Sequence, residues 1–445
     1  MNLLEQTVEK LSTFESIAIQ GRVVRVAGGI IEAVGLSIKI GEVCALRDTG
    51  NRELGLAEVV GFRDNITILL ALKDITGIGP GVLVEPRFRV TATAVGEQFI
   101  GRIVNALGEP LDEKGPLFGD EMRELVASPP SPLKRKPIRE AMHSGVRAID
   151  AFLTVGYGQR VGIMAGSGVG KSVLLGMLAR HASADVNVIA LIGERGREVA
   201  EFIERDLGSE GLAKSVVVVV TSDEMPLLRV KGALLATTLA EYFRDKSKNV
   251  LLMMDSLTRV AMAQREIGLS VGEPPTTRGY TPSTFSMMPK LLERAGTNAY
   301  GSITGLYTVL VEGDDFNEPV SDTARSILDG HIVLSRRLAA RAHYPAIDIL
   351  ESASRVMPFV ISDEHLRASQ IVRETLAIYS ESEDLINIGA YAKGSNPKID
   401  FAINRIDAMN AFLRQKFDEH TGFNDMLQVL RMLSKTPNAN EQVRV

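Results

Sequence analysis

The hydrophobic pattern of this chain changes character twice. Over residues 21–89 the apolar positions favour a period of two. Leu36, Ile38 and Ile40 alternate with Ser37 and Lys39, and short apolar runs fall at 23–24, 43–46, 58–60, 66–70 and 82–84. Glycines at 28, 29, 35, 41, 55, 61, 77, 79 and 81 punctuate them. Several short strands this close together predict a small closed or nearly closed β-barrel. Further along, the apolar runs become continuous, at 161–165, 188–192, 216–220, 250–254 and 303–311, with helix-like segments between them. A strand with no polar face is covered on both sides, so this region predicts an α/β core around a parallel sheet. From about residue 364 the strands stop. Ile399, Ala402, Ile403, Ile406, Met409, Phe412 and Leu413 recur every three or four residues, and 423–433 repeats the pattern, so a helical C-terminal domain is expected. The chain thus divides into a leading helix (1–20), a barrel (21–92), an α/β domain (93–363) and a helical domain (364–445).

In the leading segment Leu4, Val8 and Leu11 lie at helical spacing, with Phe14 and Ile17 beyond. A helix this short gains from a partner, whether its own domain or another protein. Glu5, Glu9 and Glu15 outnumber Lys10, which disfavours an anionic lipid surface as that partner. Residues 127–139 are rich in proline and locally basic, and predict an extended connection. Lys134, Arg135 and Lys136 there read as a solvated loop rather than a polyanion site.

Bulk composition narrows the class. With 45% hydrophobic and 24% charged residues, the 445-residue chain is that of an ordinary soluble globular protein of two or three domains. Its net charge of −5 argues against broad nucleic-acid binding. Cys44 is the single cysteine, so an intrachain disulfide is impossible and a reducing compartment fits. The six histidines show no metal-like spacing, no apolar run approaches 18 residues, and the N-terminus lacks a signal-peptide pattern. A cytoplasmic protein, associated with membrane only peripherally, is expected.

The candidate chemistry centres on A-G-S-G-V-G-K-S. A predicted strand precedes it and a good helix former follows, the context in which a glycine-rich turn cradles phosphate. Ala165, Gly166, Ser167, Gly168, Val169 and Gly170 would wrap the phosphate oxygens, Lys171 would reach the β- and γ-phosphates, and the Ser172 hydroxyl would ligate Mg²⁺. Ala165 replaces the usual first glycine, which requires a negative φ there. Asp255 ends the apolar run 250–254, where a carboxylate can hold Mg²⁺ or its waters opposite Ser172. Glu194 and Glu198 follow the run 188–192. A carboxylate here could polarise a water toward the γ-phosphate, and Glu194 is nearer the strand's end. A surface ion-pair network with Arg195 and Arg197 explains the same residues equally well.

P-A-I-D-x-x-x-S-x-S from Pro345 resembles the signature of the α/β-type ATPase family, which includes rotary ATP synthase subunits and type III export ATPases. The resemblance extends over essentially the whole chain and implies a barrel, a RecA-like parallel-sheet core and a helical C-terminal domain. G-E-R-G-R-E-V from Gly193, M-D-S-L-T-R from Met254, A-Q-R-E-I-G from Ala263, G-E-P-P-T-T-R-G-Y from Gly272 and D-G-H-I-V-L-S-R-R-L from Asp329 resemble the export branch, and its flagellar members most. The resemblance implies ATP and Mg²⁺ as ligands, Glu194 as the catalytic glutamate, and Arg259 as an arginine approaching the γ-phosphate. It also implies that Tyr344 stacks on adenine, although a core tyrosine is the other reading, and that Arg355 is an arginine finger for the neighbouring subunit. One chain with both glutamate and finger implies a homohexamer. The implied partners are a regulatory or stator protein at the N-terminal helix, a central stalk protein, the export gate and chaperone–substrate complexes, met at the cytoplasmic face of the inner membrane.

Two departures stand out. Thr281 occupies the place of a second proline common in this branch, and the N-terminal segment is acidic where some relatives are basic. The acidic stretch 312–322 resembles one facing a ring's central channel, with a solvated turn as the simpler reading. The leading expectation is an ATPase that energises flagellar export by releasing and unfolding substrates at the export gate. The alternatives are the injectisome counterpart, a rotary synthase catalytic subunit, a nucleic-acid translocase and a nucleotide-binding subunit without turnover.

Overall fold

The computed structural model describes residues 20–73, 76–89, 92–311, 313 and 315–435. The helix expected at the N-terminus falls on residues 1–19, outside the described residues. Six antiparallel strands follow: β1 (Gly21–Ala27), β2 (Ile30–Val34), β3 (Glu42–Arg47), β4 (Glu53–Arg63), β5 (Ile66–Ala71) and β6 (Leu83–Arg89). They close in the order β1-β2-β5-β4-β3-β6, with Gly21 of β1 opposite Val84 of β6. Alternate side chains, among them Val23, Ile31, Ala33, Leu46, Val59 and Leu69, fill the interior. Cys44 is inside too, and burial pushes its thiol up to about 12, which removes it from thiolate chemistry.

The clearest alternation in the sequence, Leu36-Ser37-Ile38-Lys39-Ile40, forms no strand. Leu36 and Ile38 pack against the barrel core while Ile40 is 64% exposed. A period of two records extended backbone with one buried face, and that condition is met here by a connecting segment without a partner strand.

The α/β core is one sheet containing β7 (Ile103–Val104), β8 (Arg160–Ala165), β9 (Val186–Glu194), β10 (Ser215–Thr221), β11 (Asn249–Asp255), β12 (Gly296–Thr297), β13 (Ser302–Leu310), β14 (Gly330–Leu334) and β15 (Ile347–Ser354). The order is β15-β14-β8-β13-β11-β9-β10-β7, with β12 paired to β13. Neighbours along this path are parallel except β14 and β15. Both faces are covered, which is why the strands lack polar alternation. Val188, Ala190, Ile192, Leu252 and Met254 pack on one face with the helices α2 (Pro226–Asp245) and α3 (Leu257–Ser270). Ile189, Leu191, Leu251 and Met253 pack on the other with Leu174 and Leu178 of α1 (Lys171–His181).

The C-terminal helices α4 (Asp363–Asn387), α5 (Pro397–Leu413) and α6 (Phe423–Leu433) join that second face through Val372, Met409, Phe412 and Leu430. Ser362 and Asn396 start α4 and α5 by accepting from the backbone N–H of His365 (3.3 Å) and Lys398 (3.0 Å). The barrel docks on the first face, where Val43, Leu70 and Leu72 enter the core cluster and buried Glu58 of β4 pairs with Lys231 of α2 at 2.6 Å.

The proline-rich connection is not uniformly solvated. Lys134 and Lys136 are exposed, but Arg135 turns inward, donating to the Ala295 carbonyl at 2.7 Å and pairing with Glu293 at 3.3 Å. Glu293 and Ala295 follow the helix Pro282–Leu292, whose last carbonyls lack helical donors. Thr281, immediately before that helix, is buried, its hydroxyl 3.1 Å from Ser283 Oγ and 3.2 Å from Thr284 Oγ1. Of the acidic stretch 312–322, Glu312 and Asp314 lie outside the described residues, and Asp315 pairs with Arg278 at 2.6 Å.

Candidate active site

The carboxyl ends of four adjacent strands, β8, β13, β11 and β9, line one crevice, the position at which parallel sheets bind ligands. The glycine-rich turn leaves β8. Ala165 closes that strand in extended backbone, so no glycine is needed there. Gly168 and Gly170 have φ of 76° and 87°, and Gly170 immediately precedes α1. These conformations favour glycine and turn successive N–H groups toward one side, where the start of α1 adds its positive end.

Lys171, at the first position of α1, sends its ammonium between two carboxylates, 2.5 Å from Asp255 Oδ1 and 3.2 Å from Glu194 Oε1. Thr308 of β13 donates its hydroxyl to the same Asp255 oxygen at 2.7 Å. Three neighbouring strands thus hold the acidic half of the crevice. Burial alone would lower the Lys171 pKa, but Asp255 and Glu194 outweigh it and raise it. Glu194 is pushed above the usual carboxylate range by burial first and by Asp255 second. The ion-pair network weighed from sequence also exists, but it lies beside Glu194. Arg195 pairs with Glu198 at 2.8 Å and Arg197 with Glu201 at 3.0 Å, all four near the surface.

Arg259 lies in the first turn of α3, and its side chain packs directly on Gly193, whose backbone has φ of 76°. A Cβ on Gly193 would come within 2.9 Å of the Arg259 Cβ and Cγ. Gly193→Ala is therefore expected to strain the backbone by about 1–2 kcal/mol and to displace Arg259. Turnover should fall well beyond any loss of nucleotide affinity, measured by steady-state kinetics beside nucleotide titration; unchanged kinetics would show that Arg259 has no role in the chemistry.

Arg259 Nε is buried with no hydrogen-bond partner among the described residues, a donor suited to a phosphate oxygen. Together with the glycine turn and Lys171 this donor set fits a triphosphate. The Ser172 hydroxyl and the Asp255 carboxylate are hard oxygen ligands, which fit Mg²⁺.

A cavity of about 830 Å³ adjoins the turn, lined by Gly170, Val173, Tyr344, Pro345, Gln415 and Phe417 among others. The Tyr344 ring lies 3.5 Å from where a Cβ on Gly170 would be, and is 45% exposed. Phe417 is the residue that sequence reasoning missed. It lies in the non-helical stretch between α5 and α6, where periodicity is silent. That stretch is tied to the core: Gln415 N–H donates to the Tyr344 carbonyl at 2.9 Å, and Gln415 Oε1 accepts from Arg147 N–H at 2.8 Å. Arg147 also binds Glu419 and the Phe412 carbonyl. An aromatic in the short stretch between two predicted helices was the available signal.

Arg355 is not brought into this crevice. β15 runs antiparallel to β14, with Ile347 opposite Leu334 and Ser354 opposite Gly330, while Leu334 in turn lies beside Ala165. Arg355 therefore sits at the amino end of the parallel strands, exposed, about 13 Å of strand away from the level of the glycine turn. Tyr344 and Arg355 bracket the same edge strand at opposite ends.

Three family models match the chain. The ATP synthase alpha/beta family supplies a beta-barrel domain over residues 23–87 and a nucleotide-binding domain over 145–354, and the T3SS EscN ATPase C-terminal domain covers 361–432. The flagellum-specific ATP synthase of Bacillus subtilis (strain 168) is 51% identical over 431 residues, 97% of this chain and 98% of that protein. This chain belongs to the ATP synthase alpha/beta family. Like other members it is an ATP-hydrolysing enzyme. The type 3 secretion system ATPase of Xanthomonas euvesicatoria is 48% identical, with 96% and 97% of the two chains covered. Among solved structures, the assembled ATPase EscN from the type III secretion system of enteropathogenic E. coli matches with a TM-score of 0.89 at 45% identity, covering 93% of this chain and all of that one. EscN in complex with its central stalk EscO matches with a TM-score of 0.86 at 44% identity, with the same coverage.

Proposed function

We propose that this family member hydrolyses ATP within a homohexameric ring and energises type III export of flagellar proteins, releasing and unfolding substrates at an export gate. The observation that carries the ring is the position of Arg355. A chain that holds a phosphate pocket at one end of its sheet and an exposed arginine at the other suits a head-to-tail contact that closes by rotation. The flagellar role is supported by the 51% identity to a flagellum-specific relative over almost both full lengths.

In this reading the turn from Ala165 to Gly170 and the ammonium of Lys171 hold the phosphates in line. Released from Lys171, Glu194 accepts a proton from the attacking water and orients it toward the γ-phosphorus. Ser172 and Asp255 would hold Mg²⁺, which would supply neutralisation of the phosphate charge. Arg259 and the neighbouring subunit's Arg355 meet charge that develops on the transferred phosphoryl. Tyr344 stacks on adenine with Phe417 in the same cavity. The relative solved with its central stalk supports a stalk protein in the ring's channel. A regulatory or stator protein at the N-terminal segment, chaperone–substrate complexes, and a peripheral position on the cytoplasmic face of the inner membrane complete the proposal. Among the described residues no helix is long and apolar enough to cross a membrane.

Deleting the gene should remove flagellar filaments at least tenfold in count. The wild-type gene should restore them, and one encoding Lys171→Ala should not. Normal filaments with lost injectisome secretion would move the chain to the injectisome counterpart, the second reading, which its match to the EscN C-terminal domain supports.

A further inference from the structure

We infer that Gln159, acting with Asp329, is a positioning residue for Arg355. The inference rests on the proposal that Arg355 completes a neighbour's site. Gln159 is fully buried in the first turn before β8, and every polar atom of its side chain is used. Its Oε1 accepts from Gly156 N–H at 2.9 Å, and its Nε2 donates to the Asp329 carbonyl at 3.2 Å and to Ser354 Oγ at 3.0 Å. The same Asp329 carbonyl accepts from the Arg355 backbone N–H at 3.0 Å. The Gln159 amide therefore braces both ends of the Ser354–Arg355 peptide unit, one through the Ser354 hydroxyl and one through the carbonyl that Arg355 shares.

Each brace is itself fixed. Ser354 Oγ donates to the Thr154 carbonyl at 2.9 Å and accepts from Met357 N–H at 3.2 Å, which holds the chain on both sides of Arg355. The Asp329 carboxylate takes the Arg160 backbone N–H at 3.1 Å, Nε at 3.0 Å and Nη2 at 3.2 Å, and the Asp329 N–H donates to the Arg160 carbonyl at 2.8 Å. Gln159 immediately precedes, and Arg160 begins, the strand that leads into the glycine turn, so the network ties the exposed arginine's backbone to the base of that buried strand. A buried amide that only filled space could be replaced by an apolar side chain of equal volume, because unsatisfied donors are what make such groups costly. Here the amide is spent on the exposed turn that carries Arg355, which in the proposed ring meets another subunit. A group acting across an interface depends on its position to within about an ångström, and a misplacement of that size costs roughly a hundredfold in rate.

The test mixes defective subunits. Gln159→Met keeps length and volume but deletes the brace, and Ser354→Ala deletes one arm of it at a less buried position. Each alone should reduce kcat tenfold to a hundredfold with KM and nucleotide affinity within about twofold, since the chain's own pocket is intact. Lys171→Ala subunits have a dead pocket and an intact arm. Rings assembled from equal parts of Gln159→Met and Lys171→Ala should recover to roughly a quarter of the wild-type rate, because half the pockets are live and half of those receive an intact arm. A fold defect in the Gln159→Met subunit would spoil the live pocket that this recovery uses, so a merely structural role gives no recovery.

Arg355→Ala mixed with Lys171→Ala is the control. If the control recovers and the Gln159→Met mixture does not, or if Gln159→Met and Ser354→Ala alone keep the wild-type kcat, the positioning role is overturned. If the control fails as well, the trans-acting arginine falls, and the role of Gln159 falls with it.

Discussion

Replacing Arg355 with alanine is expected to lower turnover by about a thousandfold or more while leaving nucleotide affinity within a few-fold of the wild type. The expectation follows from geometry. Arg355 is exposed at the amino end of the parallel strands, whereas the glycine turn, Lys171, Glu194 and Asp255 gather at the carboxyl end. Its loss removes nothing from the chain's own pocket, so ground-state binding survives. What disappears, in the proposed ring, is a positive charge that meets the phosphoryl group only as charge develops on it, an interaction whose loss lowers kcat without raising KM. Steady-state kinetics beside a fluorescent-nucleotide titration would separate the two. Wild-type turnover in this variant would sink the ring enzyme as proposed.

Glu194→Gln should be the second-largest change, a fall of about 10²–10⁴-fold in turnover with nucleotide affinity held or tightened. Affinity holds because the substitution removes a negative charge from a pocket that receives a polyanion. The wild-type enzyme should also carry a pH signature. Burial, with Asp255 beside it, raises the Glu194 carboxyl, so it takes up a proton at a higher pH than an ordinary glutamate as the solution is acidified. The protonated form cannot accept a proton from water, so kcat/KM should fall with decreasing pH through that raised value. The acid limb therefore lies above the ordinary carboxylate range of about 4 and is absent in Glu194→Gln. A wild-type kcat/KM that stays flat down to that range would remove Glu194 from the proton transfer.

The parts of the site that were legible in sequence are those where local chemistry and fold point the same way. A-G-S-G-V-G-K-S carries its own turn conformations and helix start, and Asp255 and Glu194 end continuous apolar runs, so their place at the carboxyl edge of a sheet followed from the pattern. What pattern could not supply depended on long-range closure. Leu36 and Ile38 alternate like a strand but only pack against the barrel core from a connecting segment. Arg135 looked solvated because its carbonyl partners lie 158 and 160 residues away. Phe417 reaches the cavity beside the glycine turn through Gln415 and Arg147, 268 residues apart in sequence. The Glu194–Glu198 ambiguity was of a different kind, since both readings are present: Glu194 faces Lys171, and Glu198 faces Arg195.

The edge strand β15 gives the proposed assembly a sense of direction. Tyr344 lies just before it, lining the cavity beside the glycine turn, and the exposed Arg355 just after it. In the proposed ring this strand would couple a subunit's own cavity to the pocket its arginine enters, and by linkage the neighbour's occupancy would act back through the same contact to the same extent. What such a circle acquires is a structural heading, set by which end of β15 carries the aromatic ring.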